Sequence, residues 1–175
     1  MQTSRVLIID DEPILLDTLA STVRLRLPDV HIERADSALA SLERIRSIEY
    51  AAVLCDAHQP RMEGIAFVRT VRKFHPELPV LLLIEKSDHD FIGQAMNAGA
   101  YDVLVKPVDE GTCLLAVQRA VEAFQLRGRV KREQERFLAT VRTVIRDLEV
   151  LYGVPGLQSH FDAFIDSVEA ERSRR

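Results

Sequence analysis

The sequence lacks long apolar segments, a leader-like start and clustered cysteines. No apolar segment reaches the about 20 residues that a membrane-spanning helix needs. The first residues lead directly into a strand-like segment, without the basic and then apolar order of a signal peptide, so we expect a cytoplasmic protein with no membrane association. Cys55 and Cys113 are its two cysteines, and they lack metal-ligand spacing and suit a reducing compartment.

Neither sign of charge is in large excess. The formal net charge of −4 gives no general electrostatic reason for binding DNA or an anionic membrane. Residues 127–136 mix Glu133 and Glu135 with basic side chains, which leaves little net field, and no helix-turn-helix or other DNA-binding domain is visible. Four histidines show no spacing that indicates a shared metal site: His31, His75, His89 and His160.

Short apolar segments alternate with segments whose apolar residues recur at helical spacing. The chain has 175 residues, 47% of them apolar, enough for one domain and an appendage. The alternation gives five strands and five helices and predicts a parallel sheet with right-handed crossovers. We therefore expect an α/β, flavodoxin-like (βα)5 three-layer sandwich over residues 1–127. The predicted strands are residues 6–9, 30–34, 51–55, 80–84 and 101–105.

Charged residues follow three of these strands. They are Asp10 and Asp11 after residues 6–9, Asp56 after residues 51–55, and Lys106 after residues 101–105. If the strands are parallel neighbours, these side chains converge at one edge of the sheet, where open α/β folds bind ligands. Several carboxylates in one crevice need a counterion, and hard oxygen ligands suit Mg²⁺.

The order of these residues resembles the receiver domain of two-component response regulators, over about residues 4–127. The resemblance depends on three motifs in register. They are Ile8-Ile9-Asp10-Asp11-Glu12-Pro13, Asp56 with Pro60-Arg61-Met62-Glu63-Gly64, and Ala98-Gly99-Ala100-Tyr101-Asp102 followed by Lys106-Pro107.

The resemblance implies that Asp56 accepts a phosphoryl group from a sensor histidine kinase or a phosphotransfer protein. A carboxylate is a feasible nucleophile for phosphorus when metal and positive groups neutralise the phosphoryl oxygens. The chain is then a phosphoacceptor signalling protein rather than an enzyme acting on other substrates. The resemblance implies that Asp11, Asp56 and the backbone carbonyl of His58 bind Mg²⁺ directly, and that Asp10 binds it through water. It implies that Lys106 compensates the negative charge and then binds the phosphate. It also implies a cis peptide bond before Pro107.

The resemblance is incomplete at the positions that switch the family's conformation. The family carries Ser or Thr at the end of the fourth strand and an aromatic residue on the fifth, but here these positions are Ile84 and Val103. Isoleucine cannot donate a hydrogen bond to phosphate, which is typically worth about 1.5 to 3 kcal/mol. Ser87 is an alternative donor, and Gln59 stands where methionine is usual. We expect Asp56 to accept phosphate while the conformational response is weak or unconventional.

Residues 128–175 are predicted to form a helical extension. Nothing breaks the fifth helix before residue 150, and its polar segment at 127–136 is either a solvated helix or a flexible linker. Gly153 to Gly156 then stop the helix. Apolar residues in alternating steps of four and three predict a coiled-coil-like stripe at Phe137, Val141, Val144, Leu148 and Leu151. A second helical stripe follows at Leu157, Phe161, Phe164, Ile165 and Val168.

Two stripes joined by a short turn predict a helical hairpin. Because a single hairpin leaves much of its stripes exposed, we expect a homodimer through residues 129–171, formed as a four-helix bundle. Docking on an unknown downstream protein is the other use of the same surface.

Two other functions compete with phosphate-dependent signalling. A pseudo-receiver would act as an interaction module without phosphorylation, and Mg²⁺ would leave it nearly unchanged. A small phosphatase would need a general acid near Asp56, and His58 alone is too little.

Overall fold

The structure is a computed structural model that describes residues 4–86 and 89–173. The chain divides into two compact units, Met1–Leu126 and Arg127–Arg175. Among the helices of the described residues, none is both long enough and apolar enough to cross a membrane.

The first unit is built on a parallel sheet of five strands in the order β2-β1-β3-β6-β7. These strands are β1 (Ser4–Ile9), β2 (Val30–Ala35), β3 (Ala52–Asp56), β6 (Val80–Ile84) and β7 (Asp102–Val105). The helices are α1 (Pro13–Arg26), α2 (Ala38–Ser47), α3 (Gly64–Phe74), α4 (His89–Asn97) and α5 (Glu110–Tyr152). The predicted flavodoxin-like fold is confirmed.

Both faces of the sheet are covered because its central strands are apolar throughout. Val6 and Ile8 of β1 belong to one buried cluster with residues of α1 and α5. Leu7 and Ile9 point to the opposite face and belong to a second cluster with residues of α2, α3 and α4. Side chains of one strand therefore alternate between two cores, which makes three layers.

Local sequence signals set several helix ends. Pro13 is in the first turn of α1, where a missing N–H costs little. Ser37 is the N-cap of α2, and its side chain accepts a hydrogen bond from the backbone N–H of Ala40 at 3.3 Å. Gly99, after α4, has a φ of 97°, the left-handed conformation that glycine adopts readily.

Two features differ from or refine the prediction. Strands β4 (His58–Gln59) and β5 (Met62–Glu63) form a small antiparallel ladder that the sequence pattern did not predict. The predicted long helix is confirmed, since α5 is continuous through the polar segment and no flexible linker interrupts it. Ser87, the alternative hydrogen-bond donor, lies outside the described residues.

The second unit is a pair of antiparallel helices, the C-terminal part of α5 and α6 (Leu157–Ser173). Glu149 accepts a hydrogen bond from the backbone N–H of Gln158 at 3.0 Å, and Arg142 donates to Asp162 at 2.9 Å. Five apolar side chains between the helices are partly buried: Leu138, Val141, Ile145, Phe161 and Ile165.

Candidate functional site

Three aspartates lie together at the carboxyl ends of β1 and β3. The register pairs Ile9, the last residue of β1, with Cys55, so that the following residues, Asp10 and Asp56, are neighbours. Carboxylate oxygens of Asp10, Asp11 and Asp56 lie within 4.8 Å of one another. Asp10 is 1% exposed and Asp56 is 5% exposed, whereas Asp11 is exposed to solvent. We call this group the acidic crevice.

Lys106 enters the acidic crevice from the end of β7. Its Nζ donates a hydrogen bond to Oδ2 of Asp56 at 3.0 Å and lies 3.8 Å from Oδ2 of Asp10. Its backbone N–H donates to the carbonyl of Ile84, which holds it beside the end of β6. The structure therefore brings together the four charged side chains that the sequence predicted to converge.

The electrostatics of the acidic crevice follow from burial and close charges. Burial raises the pKa of Asp10 above its usual value, against the lowering effects of the Glu12 backbone N–H and of Lys106. For Lys106, burial acts to lower the pKa, but the hydrogen bond to Asp56 and the charges of Asp56 and Asp10 outweigh it and raise the pKa. The ammonium group therefore stays protonated beside the carboxylates.

The residues present fit a divalent cation. Among the described residues, Oδ2 of Asp10 is a buried side-chain oxygen without a hydrogen-bond partner. Leaving a buried carboxylate oxygen without a hydrogen bond is costly, and a single lysine cannot balance three carboxylates. Three hard oxygen donors around one point are the ligands that Mg²⁺ prefers.

The loop after β3 is held by its own backbone. The N–H of Ala57 donates to the carbonyl of Leu83 at 2.8 Å, and the N–H of Gly64 donates to the carbonyl of Ala57 at 2.7 Å. The N–H of His58 donates to Oδ1 of Asp56 at 3.2 Å. These bonds fix the direction of the Asp56 carboxylate at the end of its strand.

The two switch positions, Ile84 and Val103, are aliphatic residues that lie among other apolar side chains. Ile84 is 1% exposed and is paired in register with Val105. Val103 is partly buried and packs against the second core cluster. The peptide bond between Lys106 and Pro107 is cis.

Two residues contact the acidic crevice that the sequence analysis did not place there. Gln59 is 4% exposed and donates from Nε2 to Oδ1 of Asp11 at 3.3 Å. Glu85 places Oε1 3.8 Å from Nζ of Lys106 and so adds another carboxylate at the rim. The available signal for Glu85 was its position directly after a predicted strand that ends at the same sheet edge.

This geometry agrees with the comparison to known proteins. Residues 6–118 match the family model of the response regulator receiver domain. The chain belongs to this family. Receiver domains bind Mg²⁺ at an acidic pocket and act as phosphoacceptors in two-component signalling, which implies a histidine kinase or phosphotransfer partner.

The relatives of this receiver domain include much longer regulators. The chain is 31% identical over 116 residues to the transcriptional regulatory protein ZraR of Klebsiella oxytoca, covering 66% of this chain and 26% of ZraR. It is 32% identical over 130 residues to the C4-dicarboxylate transport transcriptional regulatory protein DctD of Pseudomonas aeruginosa, covering 70% and 26%. The chain thus spans about a quarter of the length of these relatives.

Solved receiver domains have the same fold. The receiver domain of an HD domain-containing protein from Pseudomonas fluorescens has a TM-score of 0.67 and 27% identity, covering 74% of this chain and 94% of that one. The receiver domain of NtrX from Brucella abortus has a TM-score of 0.62 and 28% identity, covering 67% and 98%.

Proposed function

We propose that this receiver domain accepts a phosphoryl group on Asp56 from the phosphohistidine of a kinase or phosphotransfer protein. The observation that carries the proposal is the 3.0 Å hydrogen bond between Lys106 Nζ and Asp56 Oδ2, beside an Asp10 oxygen that is buried without a hydrogen bond. An oxygen of Asp56 bonds to phosphorus as the phosphorus–nitrogen bond of phosphohistidine breaks. Lys106 is then free to bind the new phosphoryl oxygens.

The proposed metal ligands are the carboxylates of Asp11 and Asp56 and the backbone carbonyl of His58, with Asp10 acting through water. Mg²⁺ supplies positive charge that offsets the charge on the transferring phosphoryl oxygens. Asp10 is too buried and too close to Asp56 to remain uncompensated, so its contribution is to hold the ion against the nucleophile.

Phosphorylation with acetyl phosphate and Mg²⁺ tests this proposal. We expect intact-protein mass spectrometry to show one added phosphoryl group in the wild type and none in Asp56→Asn. The matched control is Asp29→Asn, because Asp29 is exposed and lies just before β2, at the opposite sheet edge. A phosphoryl group that persists in Asp56→Asn, or is absent from the wild type, would contradict the proposal.

We propose further that phosphorylation and conformational response are separable in this chain. Ile84 offers no hydroxyl to a phosphoryl group, and Val103 has no ring to reorient. The described residues therefore lack the differential contact at these two positions that would favour one conformation of a receiver over another. The same observation supports the alternative, a pseudo-receiver that interacts without phosphorylation.

Hydrogen exchange distinguishes these readings. Beryllofluoride bound to Asp56 stands in for the phosphoryl group. We expect it to protect amides near Asp56 while leaving exchange in α4 and β7 nearly unchanged. A large protection change across α4 and β7 would refute the weak switch, and the absence of any Mg²⁺ or beryllofluoride effect would favour the pseudo-receiver.

The output of the chain, in our proposal, is homodimerisation through the helical extension, within residues 129–171. The contact within the hairpin leaves a second set of apolar side chains exposed, which we call the exposed stripe. These are Phe137, Val144, Leu148 and Leu151 on α5 and Leu157, Phe164 and Val168 on α6.

The exposed stripe lies on one face of the hairpin. At about 100° per residue, its members on α5 are displaced by about 90° from the residues that face α6. Its members on α6 are displaced from Phe161 and Ile165 by about 60° in the same sense. Because the two helices run in opposite directions, displacements in the same sense bring both sets to the same side of the hairpin.

A second copy is the occupant that this face fits best. The seven side chains are 40% to 73% exposed. Covering roughly 90 Å² of each in both copies would bury roughly 1,300 Å², which reaches the size of stable interfaces. On α5 the members at 137, 144 and 151 recur every seven residues, the spacing at which helices pack side by side. Two copies related by a two-fold axis would form a four-helix bundle.

Light scattering on the full chain tests the dimer. We expect twice the chain mass of 19.8 kDa for the wild type and the chain mass for Val144→Glu with Phe164→Glu. The matched control is Val150→Glu, because Val150 is 82% exposed but lies off the exposed stripe. A monomeric wild type would contradict the homodimer and leave docking on another protein as the use of this face.

A further inference from the structure

Gln59 is a buried polar side chain that bonds in two directions. Its Nε2 donates to Oδ1 of Asp11 at 3.3 Å, and its Oε1 accepts from the backbone N–H of Ala38 at 3.3 Å. The residue is 4% exposed. A buried amide is costly unless both of its ends are bonded, and here each end has a partner.

The second partner belongs to the start of a helix. Ala38 is the first residue of α2, and its N–H is one of the donors that a helix leaves without an intrahelical acceptor. The side chain of the N-cap residue, Ser37, accepts a hydrogen bond from the N–H of Ala40 rather than from the N–H of Ala38. Gln59 therefore completes the cap of α2 from a distant part of the chain. Methionine, the usual residue in the family pattern, could make neither bond.

We infer that Gln59 is a positioning residue that orients Asp11 and links metal binding to the first turn of α2. This inference depends on the proposed Mg²⁺ site. Asp11 is exposed, so little packing restrains its carboxylate. A hydrogen bond to Oδ1 restrains rotation of the group and leaves lone pairs of the carboxylate available to a cation. Partners that orient a ligand in this way typically change metal affinity by about 10- to 100-fold.

The link acts in both directions. A cation bound to Asp11 changes the charge beside the side-chain amide of Gln59. The same side-chain amide accepts the hydrogen bond from the backbone N–H of Ala38. If Mg²⁺ strengthens the bond to Ala38, then an ordered first turn of α2 must strengthen Mg²⁺ binding by the same factor. The amide of Ala38 is therefore a probe of metal binding that does not depend on phosphorylation.

The test is a titration of the full chain with Mg²⁺ alone. Calorimetry measures the affinity for Mg²⁺, and hydrogen exchange measures the protection of the Ala38 amide. We expect Gln59→Met to weaken Mg²⁺ binding by about 10-fold and to abolish the Mg²⁺-dependent slowing of exchange at Ala38. Gln118→Met is the matched control, because Gln118 is exposed on α5 and bonds Glu122. We expect it to behave as wild type in both measurements.

The outcomes separate this inference from the proposed function. Two results would overturn the role of Gln59 and leave the phosphoacceptor proposal intact. One is a Gln59→Met variant that binds Mg²⁺ with wild-type affinity. The other is a wild type that binds Mg²⁺ without any change in amide exchange at Ala38. A wild type that binds no Mg²⁺ would overturn both. Urea unfolding of each variant separates a metal effect from a general loss of stability, since a purely structural role would lower the unfolding midpoint without removing the response of Ala38.

Discussion

Nζ of Lys106 lies 3.0 Å from Oδ2 of Asp56, although the two residues are 50 positions apart in the chain. Both side chains are largely buried, with 12% and 8% of their surface exposed. Charge-assisted hydrogen bonds are stronger than neutral ones, and burial removes the water that would otherwise compete. This contact joins the outer strand β7 to the central strand β3 across the end of β6.

Replacing Lys106 by methionine should destabilise the fold in the absence of Mg²⁺. The substitution keeps most of the side-chain volume but leaves Asp56 and Asp10 without their nearby cation. We expect a loss of about 2 kcal/mol in the free energy of unfolding, the scale of a hydrogen bond to a charged group. Urea denaturation at neutral pH measures it.

Lys73→Met is the control for this substitution, because Lys73 is exposed on α3. In an Asp10→Asn background, Lys106→Met should cost less, since one carboxylate no longer needs a cation. Equal costs in the two backgrounds would show that Lys106 does not compensate Asp10.

Gly64→Ala should distort the loop that follows Asp56. A Cβ at Gly64 would lie 2.8 Å from Cα of Ala57 and 3.0 Å from Cδ2 of Leu82. Because Ala57 presents backbone there, the loop itself must move. We expect a loss of about 1 to 3 kcal/mol in stability and slower phosphorylation of Asp56.

Gly93→Ala is the matched control, since a Cβ at Gly93, within α4, meets nothing within 4 Å. Alanine is the better helix former, so this variant should gain about 0.5 to 1 kcal/mol. Urea unfolding midpoints that shift equally and in the same direction in both variants would contradict the steric argument.

The strands and the convergence of charge could be predicted because they depend on patterns along the chain. Residues 80–84 are apolar throughout, and an apolar segment that is too short for a typical helix favours a strand buried on both faces. Parallel strands end at a common edge, so the residues after them meet. These rules need no knowledge of where a side chain points.

The hydrogen bonds of Gln59 and the contact of Glu85 with Lys106 depend on where these side chains point. The sequence pattern does not predict the direction of a side chain within a loop. The ladder of β4 and β5 has two residues in each strand, which is too few for alternation to be visible. Ser37 caps α2, but the sequence alone does not distinguish it from the adjacent Asp36, because both side chains can cap a helix.

Ile84→Thr should strengthen the conformational response while lowering stability. Ile84 is 1% exposed, so threonine replaces buried apolar volume with a hydroxyl, at a cost of about 1 to 2 kcal/mol. The hydroxyl can then donate to a phosphoryl group or its analogue on Asp56. We expect beryllofluoride to protect amides of α4 and β7 more in this variant than in the wild type, as measured by hydrogen exchange.

Val80→Thr is the control, because it introduces a buried hydroxyl at the other end of β6, far from Asp56. It should lose stability without gaining a beryllofluoride response. If Ile84→Thr also gains none, the hydroxyl position does not limit switching in this chain.

Glu33 is the centre of a polar cluster on the edge strand β2. Its carboxylate accepts a hydrogen bond from the hydroxyl of Tyr50 at 2.8 Å and pairs with Arg44. Burial acts to raise the pKa of Glu33, but the bonds from Tyr50 and Arg44 outweigh it and lower the pKa below the usual 4.5. For Tyr50, burial and the bond to Glu33 raise the pKa to about 12.

Glu33→Gln should therefore destabilise the fold in a pH-dependent way. Since the pKa is lower in the folded state, the ionised carboxylate stabilises the fold above the unfolded value of 4.5, and this contribution is lost as the pH falls through the folded pKa. We expect a loss of about 1.5 kcal/mol near neutral pH that shrinks at acid pH, measured by urea denaturation at several pH values. Glu43→Gln, at an exposed side chain paired with Arg46, should change stability little at any pH because exposed ion pairs contribute little. A loss in Glu33→Gln that stays constant with pH would assign its cost to packing rather than to charge.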